Sequence, residues 1–256
     1  MKKLMLAAAA LALTAGMGLA DTIRMGTEGA YPPYNLVNDK GEVDGYEIDL
    51  GNELCKRIGA ECTWVKNDFD SIIPNLVSGN YDTIMAGMSI TEERKKAIQF
   101  TQAYLPAVPS AYAALDDGID LTQATVAAQT GTIQAAHVAE TGATLVEFVT
   151  PDEAVAAVRN GEADAVFADR DFLVPIVEEG GDGFMWVGDE VPLGEGIGMG
   201  LRQSDTALKD RFDKAISDMK ADGSLNVLIR KWFGDRAAVF DTATAPVAGD
   251  AAAATN

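Results

Sequence analysis

The feature that most constrains this chain is a rhythm of short β-branched runs alternating with amphipathic helical segments, which starts at Thr22 and begins again after Asp117. Such alternation belongs to α/β architectures with parallel strands. The first round predicts strands at 22–27, 62–66 and 83–86, with helices at 48–58, 70–78 and 91–98. Within 48–58, Ile48, Leu50, Leu54, Cys55 and Ile58 share one face, and Asp49, Glu53 and Lys56 occupy the other, as for a helix laid on a sheet. The helix at 91–98 opens with Thr91 as its cap and with Glu92 and Glu93 at the positive end of its dipole. The second round predicts strands at 125–128, 144–148 and 165–168, alternating with helices at 133–140, 152–160 and 171–178. Helices at 204–222 and 225–232 close the pattern. Segments rich in Pro and Gly intervene, with Pro106 and Pro109 before the second round and Gly194, Gly196 and Gly198 after it. Two α/β units so joined imply two lobes with a cleft between them, which is where a small ligand binds by default.

The first 20 residues set the compartment. Lys2 and Lys3 precede an apolar run over 4–13, and the small residues Gly18 and Ala20 precede Asp21, the pattern of a cleaved signal peptide. That run is shorter than the roughly 20 residues a membrane-spanning helix needs. Without Lys2 and Lys3, 18 basic side chains face 39 acidic ones, a formal net charge of −21. This balance argues against nucleic acid and anionic membrane surfaces, both of which reward clustered Lys and Arg. It favours cationic ligands, although acidity also serves the solubility of a secreted protein. The stretch 241–256 has no apolar periodicity and reads as a disordered tail.

Cys55 and Cys62 are the only cysteines, and in an oxidising compartment a pair seven positions apart reads as one disulfide joining a helix end to the next strand. With a single His137, set in an ordinary helical stretch and expected to face solvent, the ligand set for a zinc site is incomplete. No metal and no cofactor is implied.

Several motifs stand in order along the chain. Gly45-Tyr46-Glu47-Ile48-Asp49-Leu50 is followed by Leu54-Cys55 and Ile58, and preceded by Gly26-Thr27-Glu28-Gly29-Ala30-Tyr31-Pro32-Pro33-Tyr34. Met88-Ser89-Ile90-Thr91-Glu92-Glu93-Arg94, Phe100-Thr101 and Met199-Gly200-Leu201-Arg202 come later. From about Thr22 to Phe233 the chain resembles the family 3 bacterial extracellular solute-binding proteins, and most of all their lysine, arginine, ornithine, histidine and octopine binders. The resemblance implies an α/β, two-lobe periplasmic binding protein fold of type II, each lobe a mixed sheet flanked by helices, with two crossover hinge segments. The first lobe is expected over 21–107 and 200–240, and the second over 108–199.

An amino-acid ligand requires donors for its carboxylate, acceptors for its ammonium and a match for its side chain. Arg94 is the natural carboxylate clamp, because a guanidinium offers two parallel donors. Ser89 adds a hydroxyl at the start of the same helix. By resemblance, Asp169 accepts the α-ammonium with the Gly87 carbonyl, and Thr132 offers its hydroxyl and neighbouring N–H groups to the carboxylate. Asp169 also stands where it would cap the following helix. Tyr31 and Phe69 look like aromatic walls around an aliphatic or cationic side chain, with Glu28 facing the distal charge. Ile133 replaces a polar residue of some relatives, and Ala86 and Gly87 stand where others have two serines.

The implied role is that of a monomeric periplasmic protein that captures a free basic amino acid, or an opine, by lobe closure and presents it to the permease of an ABC importer. A polar neutral amino acid is the alternative ligand. Two other classes share the motifs. Periplasmic dehydratases acting on cyclohexadienyl amino acids would need a buried general acid and base in the cleft. Glu28 is the one candidate, and the chain offers no nucleophile–base pair beside it. A receptor's sensor domain would be expected to run on into a membrane-spanning helix, which the tail is not.

Overall fold

The computed structural model describes residues 22–235 and 237–241. The signal peptide expected over 1–20, and the tail expected over 241–256 apart from Asp241, lie outside the described residues. The chain opens with β1 (Thr22–Thr27), a two-stranded hairpin of β2 (Leu36–Val37) and β3 (Val43–Asp44), α1 (Tyr46–Arg57) and β4 (Glu61–Lys66). Next come α2 (Phe69–Val77), β5 (Thr83–Ile84), α3 (Glu92–Lys95) and β6 (Ile98–Phe100). A second group follows: β7 (Ser110–Ala114), β8 (Thr125–Gln129), α4 (Ile133–Ala139), β9 (Thr144–Phe148), α5 (Pro151–Arg159), β10 (Ala165–Asp169), α6 (Arg170–Val174) and β11 (Met185–Val191). The chain then returns through β12 (Gly200–Arg202), α7 (Thr206–Ala221) and α8 (Ser224–Phe233).

These strands form two five-stranded sheets, in the orders β4-β1-β5-β12-β6 and β11-β7-β10-β8-β9. Each sheet is parallel in its βα-built half, with β1 beside β4 and β5, and β8 beside β9 and β10. Each also holds an antiparallel strand, β12 between β5 and β6, and β7 between β10 and β11. The fold is thus the mixed, two-lobe α/β architecture that the motifs imply, with parallel strands in the half of each sheet that the rhythm of strands and helices predicts. The chain passes between the sheets twice, and the two passages touch: Ile197 N–H donates to the Leu105 carbonyl at 3.1 Å.

Local chemistry explains the elements. In α1, Ile48, Leu50, Leu54 and Cys55 are buried as their spacing predicts, and each large apolar side chain so buried contributes about 1.5–3 kcal/mol. Gly51 lets this helix approach β4, since a Cβ there would meet the Trp64 ring at 2.7 Å. Cys55 and Cys62 form the expected disulfide between α1 and β4, with their Cα atoms 6.0 Å apart. Thr150 and Glu153 close a capping box on α5, with Pro151 in its first turn.

Three expectations need correction. The helix expected over 91–98 stops at Lys95, because Ile98–Phe100 is drawn into the sheet as β6 beside β12. The helix expected over 171–178 is α6 followed by a π-helical turn, Pro175–Glu179. Pro175 has no N–H to donate to residue 171, so one bond of the α ladder is missing where the π-helical turn begins. His137 does not simply face solvent: it is half-buried, with its ring centroid 5.5 Å from that of Phe167.

Candidate functional site

The site is built at the carboxyl ends of the parallel strands, the edge where open α/β sheets hold ligands. Glu28 follows β1 directly and Tyr31 lies three residues on. Phe69 begins α2 after β4, while Gly87 and Ser89 follow β5. From the other sheet, Gln129 ends β8, Thr132 caps α4 and Asp169 ends β10. All eight residues expected to bind the ligand line one pocket, beside Ala86, Gln129, Ile133 and Gln134.

The two sheets meet across this cavity. Tyr31 Oη donates to Asp169 Oδ2 at 3.0 Å and accepts from the Asp169 N–H at 3.1 Å. Arg94 Nη2 donates to the Gly131 carbonyl at 3.2 Å, and its Nη1 to the Ser89 carbonyl at 2.9 Å. Gln129 Nε2 donates to Glu28 Oε1 at 2.5 Å and to the Val149 carbonyl at 3.0 Å. Stacking adds to these bonds, for the rings of Tyr31 and Phe172 lie 4.5 Å apart and inclined by 12°. The cleft is therefore closed, with the polar side chains of both lobes within reach of one small molecule.

Thr132 behaves as expected of a helix cap, accepting from the Ala135 N–H at 3.1 Å while donating to the Gln129 carbonyl at 2.7 Å. Asp169 does not cap α6 with its side chain. Its second oxygen instead accepts from Gln134 Nε2 at 2.9 Å, and the same amide reaches Ser110 Oγ at 2.9 Å. Phe69 lies under the Arg94 guanidinium, whose carbon is 5.4 Å from the ring centroid. Such a contact holds the guanidinium plane as well as adding attraction.

The electrostatics are unusual for so small a space. Burial pushes Asp169 up to about 7, against the lowering effects of the Tyr31 hydroxyl, Arg94 and Gln134. Burial also pushes Glu28 up to about 7, with the Gln129 bond opposing and Asp68, Asp152 and Asp70 adding to the rise. Arg94 keeps an edge to solvent yet is surrounded by protein, which lowers its pKa to about 10 while the charge of Asp169 resists. One guanidinium and two carboxyl groups thus share a pocket whose burial disfavours the charged form of each, while Arg94 and Asp169 support each other's charge.

Sequence reasoning missed Gln129, Gln134 and Phe172 as parts of this site. Gln134 carried a signal, because it stands four residues before Val138 and both turn inward from α4. Gln129 and Phe172 gave none, since a polar strand end and an apolar helix residue are ordinary in this fold. Among the described residues no group of three or more His, Cys, Asp or Glu is arranged to hold a metal ion, and no helix is long and apolar enough to cross a membrane.

The comparisons point to one family. The family profile described as bacterial extracellular solute-binding proteins, family 3, matches residues 23–235. The chain is 36% identical over 237 residues to the histidine-binding periplasmic protein of Salmonella typhimurium, a match covering 87% of this chain and 91% of that protein. It is 33% identical over 233 residues to the lysine/arginine/ornithine-binding periplasmic protein of Escherichia coli, covering 84% and 88%. A crystal structure of a periplasmic His/Glu/Gln/Arg/opine family-binding protein from Silicibacter pomeroyi, in complex with lysine, superposes with a TM-score of 0.84 at 68% identity. That match covers 85% of this chain and 100% of that one. All three relatives are named as binding proteins. Motifs, mixed two-lobe topology and a cleft at the strand ends converge with these matches, and the chain belongs to the family 3 bacterial extracellular solute-binding proteins.

Proposed function

We propose that this protein is the periplasmic ligand-capturing component of an ABC importer, and that it takes a free basic amino acid between its lobes. One observation carries the reading: Arg94, Asp169 and Glu28 line a single cavity. A basic amino acid offers a carboxylate and two cationic groups, the charge-for-charge complement of one guanidinium and two carboxylates. Arg94 and Ser89 receive the carboxylate, with the backbone N–H groups at the start of α4, which Thr132 caps, closing on it from the second lobe. Asp169 and the Gly87 carbonyl receive the α-ammonium, Tyr31 and Phe69 flank the side chain, and Glu28 meets its distal charge. A neutral side chain would leave Glu28 buried without a cation, which is costly.

In this reading, residues 21–107 and 200–240 form the lobe that binds first, and 108–199 the lobe that closes. The passages near 106–110 and 197–201 act as the hinge. Closure follows from the ligand's greater affinity for the closed form, and the permease reads that form. The relatives' names support the periplasmic setting and the basic ligand class.

Thermal shift of the mature protein across the twenty amino acids, ornithine, citrulline and octopine tests the proposal, because a ligand that binds only the folded state raises its stability. Large shifts with lysine, arginine, ornithine or histidine are expected. A shift confined to neutral or acidic ligands would contradict the basic specificity. A dehydratase is the second reading, favoured only by the placement of Glu28 near 7, within reach of acid–base work. The expected result with arogenate and prephenate is no turnover.

A further inference from the structure

Glu47 belongs to the motif that opens α1, yet nothing in the reading above uses it. It is fully buried, with no exposed surface. Its carboxylate accepts from the Gly87 N–H at 2.8 and 3.0 Å, from Asn35 Nδ2 at 2.8 Å and from the Tyr104 hydroxyl. Burial raises the Glu47 pKa, and these donors oppose that rise, with no ion pair to Glu47 among the described residues.

The three partners belong to three working segments. Gly87 lies in the site, in a left-handed conformation (φ +60°) where a Cβ would press on the Tyr31 ring at 3.2 Å. The next residue is tied to the second chain passage, where Gly198 N–H donates to the Met88 carbonyl at 3.2 Å. Tyr104 sits on the first passage, and its N–H donates to the Ile197 carbonyl of the second at 2.8 Å. Asn35 passes the link to the loop carrying Glu28 and Tyr31, accepting from the Gly29 N–H at 2.7 Å and pairing with the Tyr31 backbone.

We infer that Glu47 is a positioning residue: it pins the Gly87 N–H against the hinge-side scaffold and thereby sets the acceptor for the ligand's α-ammonium, without touching the ligand. The inference rests on the basic amino-acid reading and deepens it. Glu47 acts through the conformation of one glycine, so its effect falls on recognition of the α-ammonium more than on the carboxylate or the side chain.

The test compares lysine with 6-aminohexanoate, which is lysine without its α-ammonium, by calorimetric titration of the full protein. The wild type is expected to prefer lysine by about a hundredfold or more, since a site built to bond an N–H group rejects the analogue lacking it. In Glu47→Gln, and in the shorter but still charged Glu47→Asp should the first not fold, that preference is expected to shrink about tenfold. Affinity for 6-aminohexanoate should change far less, with folding checked by thermal melt. A wild type that binds both compounds equally overturns the α-ammonium reading and this inference with it. A wild-type preference that the variants keep, whether or not they bind more weakly overall, overturns the role of Glu47 alone.

Discussion

The hydroxyl of Tyr31 and the carboxylate of Asp169, 138 positions apart in the chain, meet at 3.0 Å across the cleft. Tyr31 also receives the Asp169 N–H at 3.1 Å, so a single phenol reads both the side chain and the backbone of the residue that ends β10. This pair links the lobes through the group assigned to the ligand's ammonium. Under the proposed assignment, closing the cleft would also complete the ammonium site.

That assignment implies a pH dependence of defined sign. Asp169 and Glu28 are raised to about 7 in the folded protein, against ordinary carboxylate values of about 4 in an unfolded chain. Between those values the folded protein holds more protons, so the stability contributed by the two groups is full below about pH 4 and is lost as pH rises through 7. Ligand affinity runs the other way, because cations bind the ionised carboxylates. Lysine affinity should fall about tenfold or more from pH 8 to pH 5.5, while the unliganded protein gains thermal stability over the same change. Titration calorimetry at the two values checks this, and an affinity indifferent to pH would contradict it.

Arg94→Ala should remove measurable binding. It leaves the ligand carboxylate unpaired in a desolvated cleft, at a cost of about 3–5 kcal/mol. This corresponds to roughly a hundredfold to several-thousandfold in dissociation constant. Arg94→Lys keeps the charge and loses the paired donors, so it should fall between. Near-normal affinity in Arg94→Ala would remove the carboxylate from this position.

Glu28→Gln should weaken lysine and arginine far more than glutamine, because it removes the charge beside the distal cation and keeps the shape. The matched comparison is the ratio of arginine to glutamine affinity in the two proteins. Equal losses for both ligands would place Glu28 outside the side-chain pocket.

Reduction of the Cys55–Cys62 disulfide should lower stability by about 2–3 kcal/mol, the loop-closure value for so short a ring. Ligand preference should not change, since the bond joins α1 to β4 outside the residues that line the cavity. A thermal melt with and without reductant, followed by titration with lysine, measures both.

Elements whose own residues carry their instructions were legible in sequence. β1 and β9 fall on their expected bounds, and the buried face of α1 is the one its spacing predicts. The elements missed were those made by distant partners. β7 is a run of Ser, Ala and Tyr with little β-branching, and it becomes a central strand only because β10 and β11 pair with it on both sides. β12 is three residues long and begins with Gly200, so its place between β5 and β6 depends on the chain's return from the second sheet. The site followed the same division. The motifs brought Glu28 and Arg94 to notice, the resemblance added Asp169 at a strand end, and all three line one pocket. The Gln129–Glu28 and Gln134–Asp169 bonds span 101 and 35 positions and could not be read from either residue's neighbours.

A crystal structure of the lysine complex tests the central claim most directly. The expected density places the lysine carboxylate against Arg94 and Ser89, its α-ammonium against Asp169 and the Gly87 carbonyl, and its side chain between Tyr31 and Phe69 with the ε-ammonium turned to Glu28. Lysine bound outside this cleft, or bound within it with its carboxylate away from Arg94, would contradict the assignment.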